Sequence, residues 1–182
     1  MIDLITMIGN LSKTLPSVQT MLGGLSYLLG IIFVMAALAR FRQNVDKGAQ
    51  GGGKDTKMIV PFSYLFVGAI LFFLPTTMHT FSNTLFGSGT SVLQYSDYQP
   101  YDIYNSITLL VETVGLVWFI RGCVLLAHAS HPEQGQEGSK GFGHKGLLFI
   151  IAGLFGINFQ STVNMMNSVM TYLINLTVTS MS

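Results

Sequence analysis

The sequence predicts an all-α integral membrane protein: four transmembrane helices in two tandem helical hairpins, preceded by an N-terminal amphipathic helix. Three observations carry this. Of 182 residues, 49% are hydrophobic and 9% charged, against about 25% charged in a soluble domain. Four apolar stretches are each long enough, wholly or with their flanks, to approach the ~30 Å hydrocarbon core of a bilayer. The basic residues gather in two glycine-rich loops between those stretches. One membrane domain covers residues 1–182, with hairpins over 16–86 and 100–176.

The N-terminus MIDLITMIGNLSK lacks the positive region of a cleavable signal peptide, so insertion through the chain's own helices is expected. Ile2, Ile5, Ile8, Leu11 and Leu15 form one apolar stripe at helical spacing, the pattern of an interfacial helix. Pro16 suits the first turn of a new helix. Val18 to Ala39 carries no charge and ends at Arg40 and Arg42: the first span. The loop RFRQNVDKGAQGGGKDTK follows. Met58 to Leu74 is the second span, and the spacing predicts that its helix continues past Pro75 through TTMHTFSNTLF.

Residues 87–102 contain three tyrosines and no Lys or Arg, as at a membrane–water boundary. The third span, 107–127, holds two charges, Glu112 and Arg121. A second polar loop, 128–146, leads into the fourth span from Leu147, whose helical spacing continues through Val163, Met166, Met170 and Leu173. Both basic loops are expected in the cytoplasm by the positive-inside rule, with both termini in the periplasm.

The two halves match at one constant offset, without a gap: Gly30 with Gly115, Gly68 with Gly153, Thr77 with Thr162, and Gly53 with Gly138. Each half is helix, basic loop, helix, so the repeats share one orientation. Ser26 with Gly30, and Ala152 with Gly156, are small pairs four apart that let helices approach closely in lipid.

Net charge is +1, which points to no sequence-specific nucleic-acid partner. Cys123, the single cysteine, reads as a small packed side chain. His79 and His144 stand apart. His128 and His131 could share a helix face, but zinc needs three or four ligands. The stretch GAQGGGK lacks phosphate-loop spacing, since neither Ser nor Thr follows Lys54. No catalytic arrangement is legible, and no cofactor is expected. Glu112 and Arg121 are nine positions apart, on opposite helix faces, and cannot pair. Arg40, Arg42, Lys57 and Arg121 lie beside expected membrane boundaries, where they would bind lipid headgroups. Glu112, a carboxylate inside a span, is the candidate contact to a partner.

The runs MLGGLSYLLGIIF, PFSYLFVGAILFFLPTTM, NTLFGSGTSVLQYS, VGLVWFIRGCVLLAHAS and KGLLFIIAGLFGIN resemble the IcmC/DotE family and related membrane proteins of IncI-type conjugation systems. The resemblance covers residues 21–167. It implies a non-enzymatic structural subunit of a type IVB secretion apparatus in the bacterial inner membrane, with other secretion or conjugation components as partners. In layout alone, each hairpin is similar to conjugative pilins. That likeness implies a second role: an oligomeric, pilin-like or channel-forming subunit, with bound phospholipid, lining a conduit or an extracellular pilus. A small transporter is disfavoured, because transporters show broken helices around a midplane site and only Glu112 and Arg121 lie within the spans.

Overall fold

The computed structural model describes residues 4–49, 59–87, 103–129 and 136–181. Every one of these except Phe73, Gly87 and Asn158 is α-helical. The helices are α1 (Leu4–Ala49), α2 (Ile59–Phe72), α3 (Leu74–Phe86), α4 (Ile103–Ala129), α5 (Gln136–Ile157) and α6 (Phe159–Met181). Two of them, α1 and α4, are long and apolar enough to cross a membrane. The pairs α2–α3 and α5–α6 are long and apolar enough only when each pair is taken together, and each pair is bent by 90° at its break.

α1 packs antiparallel on α2. The rings of Tyr27 and Phe72, Phe33 and Tyr64, and Phe41 and Phe62 meet in reverse order, at 4.5, 5.5 and 6.1 Å between centroids. α4 packs antiparallel on α5, with Gly115 against Ile157 and Gly122 against Ile150. The two pairs join through α1 and α4, which run in the same direction: Gln19 bonds Thr113 and Phe33 faces His128. The core lies between the pairs. It is built from Phe33 and Ala37 of α1, Tyr64, Val67 and Leu71 of α2, Leu74 and Met78 of α3, Leu116, Phe119, Ile120, Cys123 and Ala127 of α4, and Leu154 and Ile157 of α5.

Two expectations are corrected here. A separate amphipathic N-terminal helix ending at Pro16 is not found as an element of its own. α1 runs through Pro16 for 46 residues, about 69 Å at 1.5 Å per residue. An interior proline costs about 3 kcal/mol. Packing offsets that cost: Leu15 and Gln19, on either side of the proline, are both buried, while the Pro16 ring faces outward. The second correction concerns the continuous helices expected through Pro75 and beyond Phe159. Both break, at Phe73 and Asn158. α6 then leaves the bundle, so that every side chain from 164 to 179 is exposed.

Candidate functional site

The centre of each hairpin is a glycine crossing. A Cβ on Gly30 would lie 2.6 Å from the Phe72 backbone nitrogen and 3.0 Å from the Gly68 carbonyl oxygen. One on Gly115 would lie 2.6 Å from the Ile157 nitrogen and 2.9 Å from the Gly153 carbonyl oxygen. Phe72 and Ile157 stand at the same offset as Gly68 and Gly153. The reverse contacts match as well, with Gly68 against Val34 and Gly153 against Phe119. The repeat read in the sequence is thus a repeat of one helix crossing, in which backbones touch because no side chain intervenes.

The helix breaks repeat at the same offset. The Phe73 amide donates to Ala69 and the Thr77 amide to Phe73, at 3.0 and 2.9 Å. The Asn158 amide donates to Leu154 and the Thr162 amide to Asn158, at 3.1 and 2.8 Å. The Thr77 hydroxyl reaches back seven positions to the Ile70 carbonyl, at 3.5 Å, and the Thr162 hydroxyl reaches the Phe155 carbonyl, at 3.0 Å. A broken helix leaves carbonyls without amide partners. The matched threonines serve one such carbonyl in each half.

Proline is present at only one of the two bends. Pro75 has no amide to offer Leu71 and its ring crowds that carbonyl. Its counterpart in the second half is Gln160. There, buried Asn158 supplies the polar groups: its amide nitrogen donates to the Leu154 carbonyl at 3.0 Å, and its oxygen accepts from the Ser82 hydroxyl at 2.5 Å. That second bond ties α3 of the first half to the bend of the second. Gln19 does the same between α1 and α4, donating to Thr113 at 2.9 Å. Interhelical bonds of this kind are worth about 0.6–2 kcal/mol in lipid.

The charged candidates are not brought together. The Arg40 guanidinium lies 3.9 Å above the ring centroid of buried Tyr64, turned toward the bundle. Arg121 is exposed, 5.1 Å from the Phe149 ring. Tyr64 and Phe149 are repeat counterparts, so each half stacks an arginine of its first helix on one ring position of its second. Arg42 is exposed, and Lys57 lies outside the described residues, as do Lys54, Gly53 and His131. Glu112 is half-buried, with no hydrogen-bond or ion-pair partner among the described residues. It falls about 60° around α4 from Gly115, between the side that meets α5 and the side where Thr113 meets α1. One turn away, the buried Thr108 hydroxyl is also without a partner among those residues. Cys123 is buried in the core, as expected of a packed thiol.

Sequence reasoning missed two sets of residues. Gly122 and Gly146 continue the α4–α5 seam: a Cβ on Gly122 would lie 2.7 Å from the Ile150 nitrogen, and one on Gly146 3.0 Å from the Leu126 nitrogen. The signal was available, since Gly115 to Gly122 and Gly146 to Gly153 are both steps of one heptad, the spacing of a helix–helix seam. Asn158 and Ser82 had no such signal, because their bond joins positions 76 apart. Among the described residues no group of three metal-ligating side chains occurs. No protein-family model matches the chain, and it shows no match to a curated protein or to a solved structure.

Proposed function

We propose that the chain is a non-enzymatic structural subunit of a type IVB secretion or conjugation apparatus, held as an oligomer in the bacterial inner membrane. In this reading each bent pair counts as one crossing. The four crossings form two tandem hairpins, with both basic loops in the cytoplasm and both termini in the periplasm. Arg42, Arg121 and Lys57 meet lipid headgroups, and Arg40 does so from its seat on Tyr64.

The observation that carries the reading is the outer surface of the bundle. Leu28, Ile32 and Met35 of α1, Phe62 and Phe66 of α2, Val117 and Trp118 of α4, and Leu148 and Ile151 of α5 are all exposed. Their glycine-bearing opposite faces are closed. An apolar periphery around a glycine-sealed interior suits a part that packs among lipids and neighbours. The succession of runs resembling the IcmC/DotE family points to the same class.

The pilin-like reading is second, and one observation favours it: both halves carry the same crossing and the same bend, as two copies of one hairpin joined in a chain would. The transporter class regains one point, because matched helix breaks are what transporters use at binding sites. Against it, the polar groups at these breaks are engaged by Thr77, Thr162, Ser82 and Asn158. Ion flux in liposomes containing the purified protein would favour that class.

The functional test is Glu112→Gln. It should lower contact-dependent transfer at least tenfold while membrane insertion stays normal. Unchanged transfer would remove the assembly role given to Glu112, and unchanged transfer on deletion of the whole chain would remove the secretion reading itself.

A further inference from the structure

Past its first turn, α6 is exposed all round: every side chain from 164 to 179 is open. No Lys, Arg, Asp, Glu or His stands anywhere between Phe159 and Met181. The residues are nonetheless sorted. At about 100° per residue, an apolar arc about 200° wide runs from Tyr172 through Val169, Leu173, Met166 and Met170 to Ile174. A polar arc about 120° wide runs from Asn167 through Thr171, Asn164 and Asn175 to Ser168 and Thr179. Val178 interrupts the polar arc and Thr177 the apolar one. The Thr177 hydroxyl bonds the Leu173 carbonyl at 2.9 Å, so it presents no open donor.

Two bonds on opposite sides of the first turn fix the rotation of α6. Thr162, on the apolar side, donates to the Phe155 carbonyl of α5 at 3.0 Å. Gln160, on the polar side and about 160° away, accepts from the Tyr104 hydroxyl at 2.6 Å. Gly115 is the residue of α4 level with the bend, since it packs on Gly156 and Ile157. Tyr104 stands eleven positions before it, about 16 Å beyond the bend and away from α5. The apolar arc is therefore turned back along α5. The polar arc is turned outward, the way α4 continues past the bend.

α5 and α6 meet at 90°, so where α5 crosses a membrane α6 runs in its plane. Hydrocarbon on all sides would strand the side chains of Asn164, Asn167 and Asn175, which have no hydrogen-bond partner among the described residues. Water on all sides would leave the wide apolar arc bare. A partner helix would cover only a narrow stripe of it, since a helix seam is far narrower than 200°. A bilayer surface takes half a cylinder and wets the other half.

We propose that α6 lies in the surface of the periplasmic leaflet, its apolar arc among acyl chains and its polar arc among headgroups, held by lipid packing and not by lipid charge. The proposal rests on the reading that the α5–α6 pair crosses the membrane once, and it gives that crossing to α5. An uncharged helix has no electrostatic attraction to anionic lipid. Its retention follows the apolar area that loosely packed lipid admits.

The test maps depth along α6 in the full-length chain with Cys123→Ala, reconstituted in vesicles of unsaturated phosphatidylcholine. Asn164→Cys, Met166→Cys, Met170→Cys and Thr171→Cys on α6, and Ile151→Cys on α5, each carry one nitroxide. All five positions are exposed, so core packing around them is untouched. Collisions with oxygen report lipid, and collisions with a water-soluble nickel chelate report water. Labels at 164 and 171 should be several-fold more open to nickel than those at 166 and 170. Added phosphatidylglycerol should leave that contrast unchanged. Cholesterol, which tightens the packing, should lift the 166 and 170 labels toward water. Nickel access at all four α6 positions, or at none, would overturn the proposal. So would a contrast that needs phosphatidylglycerol or one that cholesterol leaves as it was. The Ile151 label separates the proposal from the reading beneath it. In lipid, it upholds the crossing by α5 whatever α6 does, and open to nickel it removes both.

Discussion

The first and second hairpins reach one geometry with different residues. Both cross at paired glycines and both turn through 90° at matched positions. The first sets aromatic rings along its seam, Tyr27 on Phe72 and Phe33 on Tyr64. The second sets further glycines there, Gly122 and Gly146. At the bend, the first has Pro75 where the second has Gln160. What the halves share is therefore the better guide to cause. The glycine pair fixes the crossing, and the threonine four positions past the break closes the freed carbonyl. Proline accompanies one bend but is not needed for the other.

The comparison can be broken most sharply at the crossings. At Gly153 a Cβ would meet only backbone, all within 2.9 Å, while at Gly68 it would meet a Val34 methyl at 2.9 Å and backbone only at 3.0 and 3.2 Å. Overpacking costs about 1–3 kcal/mol. Gly153→Ala should lie near the top of that range and Gly68→Ala near its bottom, read by reversible unfolding in mixed micelles. Equal losses would mean that the two seams are equally tight.

The threonine caps come next. Thr162→Val removes a hydroxyl shared between the Phe155 and Asn158 carbonyls, at 3.0 and 2.9 Å, and Thr77→Val removes a 3.5 Å bond, with shape preserved. A hydrogen bond contributes about 1 kcal/mol net, so the first change should cost about that and the second less. A larger loss at Thr77 would show that the proline bend depends on its threonine more than the proline-free bend does.

Pro75→Ala should have the smallest effect, within about 0.5 kcal/mol, since Pro75 is exposed. Spin labels replacing exposed Phe66 and Phe81 would report the angle between α2 and α3. An unchanged distance in Pro75→Ala is expected. A lengthened one would return the bend to proline.

Much of this fold was legible, and the illegible part has a physical character. The apolar stretches were readable because composition varies on the scale of a whole helix, whereas the loops expected over 40–57 and 128–146 are helical over 40–49 and 136–146, where polar composition does not interrupt α1 and α5. The internal repeat was readable as glycine and threonine coincidences. The bends were not, because apolar spacing runs through Phe73 and Asn158 without a change of period. Pro16 misled in the opposite sense, as local punctuation that tertiary packing overrides. The Ser82–Asn158 bond is a property of how helices meet, and no single stretch encodes it. Of the candidate site residues, Glu112 and Arg121 were placed on opposite sides of α4 by their spacing alone. The seating of Arg40 on Tyr64 needed the partner helix.

The position of the bends also sets a thickness. Before the first bend runs Ile59–Phe72, and between Lys145 and the second runs Gly146–Ile157. At 1.5 Å per residue these stretches reach about 21 and about 18 Å, short of a ~30 Å hydrocarbon core. Lipid around such short walls must compress or the walls must be strained, at a fraction of a kcal/mol per Å. The protein should therefore be most stable in bilayers of short acyl chains and lose stability steadily as the chains lengthen. A bundle with walls of this height would make a thin spot in any bilayer that holds it.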